Sequence, residues 1–246
     1  MPYNNPLYFH RGGGMENPIK ITYSFKFSEG ANRIFNILLD RQTLAFLSEK
    51  KSDPPLWAKL NHNKCSNCSL DEHSNKYCPV ALNLSDIAEE FKDFFAYENV
   101  SVTVTTEDRT YSKDTTIQQG LSALIGIIMT TSGCPVMERL KPMVRFHLPF
   151  ASLTETIFRM VSMYLMAQYF LNQEGRAANW KLTGLDNIYA EVGQVNRDFA
   201  QRLADAAKKD ANVNALVNLD CFATMVPLAA EETLNEIKSY FSAHLK

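Results

Sequence analysis

Four of the five cysteines share the spacing and surroundings of a thiolate metal site. Cys65 and Cys68 form a Cys-x-x-Cys pair, and Cys78 follows ten residues after Cys68. Cys78 opens the tripeptide Cys78-Pro79-Val80, and far downstream Cys134 opens the same tripeptide, Cys134-Pro135-Val136. Zinc takes four ligands in a tetrahedron, and thiolates are among its best protein donors. Two cysteines in a tight turn bring two sulfurs to one ion, and Asn67 between them tolerates the backbone angles of such a knuckle. The set Cys65, Cys68, Cys78 and Cys134 therefore predicts one structural zinc that staples a polar loop to the following helices. Four thiolates leave no open position for water, so the chemistry predicted is structural and not hydrolytic.

Other readings stay open. An iron–sulfur cluster is the alternative cofactor, because a cysteine followed by proline occurs in cluster-binding runs. His62 or His73 in the same segment can stand in for Cys134 as fourth ligand. Cys78 and Cys134 can also be plain buried thiols, free cysteine being among the most buried residue types. A redox dithiol fits less well, since that motif sits at a strand-to-helix junction and this pair sits in a polar loop. Cys221, in the apolar stretch from Leu219 to Val226, reads as core.

Arg145-Phe146-His147-Leu148-Pro149-Phe150 is the second distinctive segment. In an extended chain Arg145 and His147 share one side, a pairing that binds an anion or carries a proton. The plainer reading is a buried connection, with both side chains bonded to backbone carbonyls or to an acid such as Glu155. Glu155 and Arg159, four apart, read as a stabilising helical pair. No nucleophile elbow, His-Glu-x-x-His, Walker loop or dinucleotide fingerprint is present. The expectation is a binding or regulatory protein without catalytic activity. A redox protein and an enzyme with a pocket using Arg145 and His147 are the alternatives.

The elements that must position these residues follow from periodicity. Residues 1–16, with Gly12-Gly13-Gly14, read as a disordered tail. Ile19, Ile21, Tyr23, Phe25 and Phe27 alternate with polar residues, the period of a half-buried strand. Arg33 to Leu39 reads as the returning strand, with a helical reading also open, and Thr43 to Leu47 as a third short one. Ser85 is the expected N-cap of a helix carrying Ile87, Phe91, Phe94 and Phe95. Val100, Val102 and Val104 mark another strand, which Glu107-Asp108 turns back through Thr110 to Ser112. From Asp114 the chain turns helical: one helix ends at Ser132-Gly133, and a second starts at Ser152 and Glu155, which have capping-box spacing. Met160, Met163 and Met166 on that helix read as core. An amphipathic helix with Leu185, Ile188, Val192, Val195, Phe199 and Leu203 follows, then two more around 213–222 and 231–241.

The fold expected is α+β: a small N-terminal antiparallel sheet with a cysteine-rich loop (17–113), then a mainly helical half (114–246), as one domain over 17–246. Hydrophobic content of 46% and charged content of 21% are ordinary for a globular chain. A net charge of −2, from 25 basic and 27 acidic residues, argues against broad nucleic-acid binding. No stretch of about 20 apolar residues stands out, so no membrane helix is expected, and a cytoplasmic location follows by default. A helix-rich C-terminal half suggests a homodimer.

The segments Cys65-Ser66-Asn67-Cys68, Tyr77-Cys78-Pro79-Val80, Gly133-Cys134-Pro135-Val136-Met137 and Arg145-Phe146-His147-Leu148-Pro149-Phe150 together resemble an uncharacterised bacterial family of domains of unknown function. The resemblance extends into the C-terminal helices. It implies a bacterial, cytosolic protein and supplies no catalytic residue.

Overall fold

The alternation that opens the ordered chain builds the centre of a sheet. In the computed structural model, which describes residues 17–49 and 51–246, Ile19, Ile21, Tyr23 and Phe25 of β1 (Ile19–Lys26) all point inward and are buried. β2 (Asn32–Leu39) returns antiparallel, with Tyr23 opposite Phe35. β3 (Asn99–Thr105) lies on the other side of β1, with Val104 opposite Tyr23, and β4 (Thr110–Thr116) completes the order β2-β1-β3-β4. Every pairing is antiparallel. Val100, Val102 and Val104 extend the same buried face, while Ser101 and Thr103 face away, bonded to Asp114 and Ser112.

Among the described residues six α-helices follow or interrupt the sheet: α1 (Pro79–Glu90), α2 (Ile117–Thr131), α3 (Lys141–Arg145), α4 (Leu153–Gln173), α5 (Thr183–Ala204) and α6 (Ala211–Ile237). The architecture is the α+β arrangement expected, an N-terminal antiparallel sheet ahead of a helical half. α2 comes so close to the sheet that a methyl group on Gly120 would sit 2.8 Å from both Phe25 and Val102. One buried apolar cluster runs from Ile19 in β1 to Ala230 in α6. α4 starts on the expected capping box, with the Glu155 N–H donating to Ser152 Oγ and the Ser152 N–H donating to Glu155 Oε2.

Several expected elements are corrected. The third strand over Thr43 to Leu47 reduces to a single bridge between Leu39 and Phe46. Asp40 Oδ1 captures the N–H and hydroxyl of Thr43, and Leu44 takes a positive φ of 56°, so the chain turns instead of extending. α1 starts at Cys78 and Pro79, seven residues before Ser85. Proline at the first helical position loses only an N–H that has no intrahelical partner. Ser85 is buried in mid-helix and donates to the Leu82 carbonyl. α1 ends at Glu90, so Phe94 and Phe95 lie beyond it. β4 runs on through Asp114 to Thr116, and the helix begins only at Ile117. The two C-terminal helices are one, and Pro227 lies inside it. Ala223, Val226 and Ala230 stay buried on both sides of the proline, where α6 packs on α5, α2 and α4.

Two further expectations fail on burial. Met160 is core, but Met163 is half-buried and Met166 is exposed. Cys221 is exposed on α6 rather than core. By length and composition alone, Ala211–Phe241 is apolar enough to cross a membrane. The expected tail with its three glycines lies outside the described residues.

Candidate functional site

The four cysteines converge from three directions. Cys65 and Cys68 form a turn in which the Cys68 N–H donates to the Cys65 carbonyl at 3.0 Å. Cys78 is the N-cap of α1, and its own N–H donates to the Ala58 carbonyl at 2.9 Å. Cys134 follows α2 directly, after Gly133 turns the chain with a φ of +87°. All four are partly buried free thiols. They are close enough to act on one another: burial, then the thiols of Cys78 and Cys134, push the Cys65 thiol up to about 12. Among the described residues no three His, Cys, Asp or Glu side chains stand in a metal-holding arrangement. The thiols are neighbours rather than a tetrahedron.

The two Cys-Pro-Val tripeptides do the same work. Burial raises the Cys78 thiol, and the N–H groups of Ala81 and Val80 oppose it. Burial raises the Cys134 thiol, and the N–H groups of Met137 and Val136 oppose it. At Cys78 the sulfur makes no capping bond of full geometric quality, so these N–H groups act as oriented dipoles. In both turns the proline removes one N–H and the next two face the sulfur, an arrangement that favours a thiolate.

The loop that carries the first pair is docked on α5. The Asn67 side chain donates to the Glu191 carbonyl, and the Ser66 N–H and hydroxyl donate to Asp198. Asn63 donates to Asp205 at 3.1 Å, and the His62 ring is bonded to the same carboxylate at 2.6 Å. Arg202 is 1% exposed and sits in the middle of this contact. Its Nη1 donates to the carbonyls of Trp57 and Lys59, and its Nη2 to those of Leu60 and Asn63, at 2.6–3.3 Å. No carboxylate is among its partners. Its charge opposes the rise at Cys65 and Cys78. Positions 191, 198, 202 and 205 fall on one face of α5, so a helix holds the loop. His62 is committed to Asp205 and His73 is exposed beside Asp71.

The Arg145 and His147 pairing does not form. Arg145 ends α3, is exposed and lies over the Phe146 ring. The helix breaks the extended register that would put both on one side. His147 turns inward, where its Nε2 is 2.6 Å from the hydroxyl of the fully buried Tyr23. Burial, then the charge of Arg159, push the imidazole down to about 3, so it is neutral at pH 7. His147 lines a cavity of about 370 Å³ between α2, α3, α4, α5 and α6. Arg159 and Tyr189 line it too, and sequence reading assigned neither to a site. Arg159 is not held by Glu155, which is engaged by Ser152; its Nη2 donates to the carbonyls of Met143 and Phe146 at 2.8 Å each. A signal was present, since Arg159 sits one residue from Met160 and Tyr189 falls on the apolar stripe of α5.

Residues 21–242 match the family described as a domain of unknown function (DUF6901). The chain belongs to that family, which agrees with the resemblance seen in its motifs. No curated protein and no solved structure matches it.

Proposed function

We propose that this chain is a binding or regulatory protein whose cysteine loop is stapled by one structural zinc ion, held by Cys65, Cys68, Cys78 and Cys134. The observation that carries the reading is Arg202, a buried guanidinium beside the thiols with carbonyls but no carboxylate around it. A buried charge needs an opposite charge or dense hydrogen bonding. Zinc bound by four thiolates carries a net charge of −2, and Arg202 offsets part of it. The paired Cys-Pro-Val turns support the same reading, because N–H groups aimed at sulfur suit a thiolate better than a neutral thiol.

Zinc–sulfur bonds of about 2.3 Å require sulfurs roughly 3.8 Å apart. Cys78 and Cys134 are fixed at helix ends, so the Cys65–Cys68 turn is the part that closes onto the ion. No open coordination position remains, so the metal positions the loop and performs no reaction.

Elemental analysis of protein purified without chelators tests this. About one zinc per chain is expected, with the zinc lost in Cys68→Ser and in Cys134→Ser. Iron with a visible absorbance would replace zinc by a cluster. Metal-free protein with all thiols open to alkylation would overturn the proposal.

A further inference from the structure

We propose that the cavity between α2 and α6 binds a monocarboxylate carrying an apolar body of roughly ten carbons. This proposal is independent of the metal.

The walls are largely apolar, with Ile127, Leu140, Met160, Val192, Phe222 and Val226 among them. No aspartate or glutamate lines the cavity, whereas Arg159 and Lys113 do. Arg159 is half-buried, and burial lowers its pKa, so its charge is poorly solvated. Among the described residues, no carboxylate lies within ion-pairing distance of it. Its Nη2 is fully used by two carbonyls, and among the described residues Nε and Nη1 have no hydrogen-bond partner. A guanidinium held by one edge, with its other edge facing an acid-free cavity, is a carboxylate receptor.

The neighbouring groups are donors as well. Tyr189 is 5% exposed, feels the charge of Arg159, and its hydroxyl has no hydrogen-bond partner among the described residues. Tyr23 is fully buried, and its hydroxyl and His147 Nε2 share a hydrogen bond of 2.6 Å. Among the described residues, His147 Nδ1 has no hydrogen-bond partner. Guanidinium, hydroxyl and imidazole thus line one cavity with no acid on its walls. Asn196 adds an unmatched polar group to the wall: it is 2% exposed and its Oδ1 has no hydrogen-bond partner.

Size and charge narrow the ligand. A cavity of about 370 Å³ lies at the small end of ligand sites, which suits a ligand of roughly a dozen non-hydrogen atoms. Arg159 with the neutral polar groups beside it matches a single negative charge, while Lys113 lies over the Phe150 ring. A phosphate dianion would call for fewer apolar walls.

Titration calorimetry with decanoate, decanol and inorganic phosphate on the full chain tests the proposal. Decanoate is expected to bind, decanol about tenfold or more weakly, and phosphate not at all. Arg159→Gln is expected to weaken decanoate about tenfold or more while leaving decanol unchanged. Because Arg159 also holds α3, Tyr189→Phe serves as a second variant that keeps the ring and the fold, with a loss of a few-fold expected for decanoate alone. Equal binding of decanoate and decanol, decanoate binding that survives both substitutions, or no binding at millimolar decanoate would each overturn the proposal.

Discussion

Arg202 and Arg159 are both cations on helices of the C-terminal half, and both are met by backbone carbonyls instead of carboxylates. They differ in how much of the guanidinium is used. Arg202 gives four hydrogen bonds to four carbonyls of the cysteine loop and is sealed from water. Arg159 gives two, both from Nη2, and keeps its other edge open on a cavity. The first is a clamp whose bonding capacity is nearly filled by the fold. The second is a clamp on one side and a receptor on the other. Residual donor capacity, more than burial or charge, separates a structural cation from a binding one.

The comparison can be broken or sharpened by perturbation. The largest effect is expected from stripping metal: a strong chelator on zinc-loaded protein lowers the melting temperature by about 10 °C or more, and leaves decanoate affinity unchanged. If both move together, the two regions are not separate. Arg202→Met comes next. It leaves four carbonyls without their donor, and urea unfolding is expected to show a loss of about 3–5 kcal/mol. Arg159→Gln removes two hydrogen bonds from a half-buried site, so about 1–2 kcal/mol is expected in the same measurement. A loss as large as that of Arg202→Met would make Arg159 a structural cation too.

The pH dependence has a definite sign. His147 is held near 3 in the folded chain against an ordinary value of 6.5, so the unfolded chain binds the extra proton. Its contribution is complete above pH 6.5 and is lost as pH falls toward about 3, at no more than about 1.4 kcal/mol per pH unit. His147→Phe is expected to flatten the stability–pH curve in that window, and an unchanged slope would mean the imidazole is solvated. The smallest effect belongs to Cys221→Ser, which touches neither region. A change within about 0.5 kcal/mol and full zinc content are expected.

What the sequence revealed depended on range. β1 was legible because Ile19, Ile21, Tyr23 and Phe25 alternate within eight residues. The α4 start was legible because Ser152 and Glu155 satisfy each other locally. β4 was cut short because Thr-Tyr-Ser-Lys-Asp-Thr-Thr shows no apolar alternation; it is an edge strand that buries little, held by backbone pairing to β3. The four thiols were grouped from spacing and motif alone, but the docking face of α5 was not seen. Its side chains look like the wet side of an amphipathic helix until the loop from more than a hundred residues earlier covers them. Arg202 gave a usable hint, since it stands three residues after Phe199 and seven after Val195, inside the apolar stripe. The cavity left no comparable trace. Five helices contribute its walls, and no periodicity in any one of them encodes the empty space.

The contact from Arg202 to the Trp57 carbonyl spans 145 residues of chain. During synthesis at about 5–20 residues per second, the cysteine loop leaves the ribosome roughly 7–30 s before the helix that clamps it. For that interval Cys65, Cys68 and Cys78 are exposed to whatever ions and oxidants the surroundings hold. On the proposed zinc reading, the identity of the ion would be set in part by timing, since an ion seated early would be enclosed when α5 arrives.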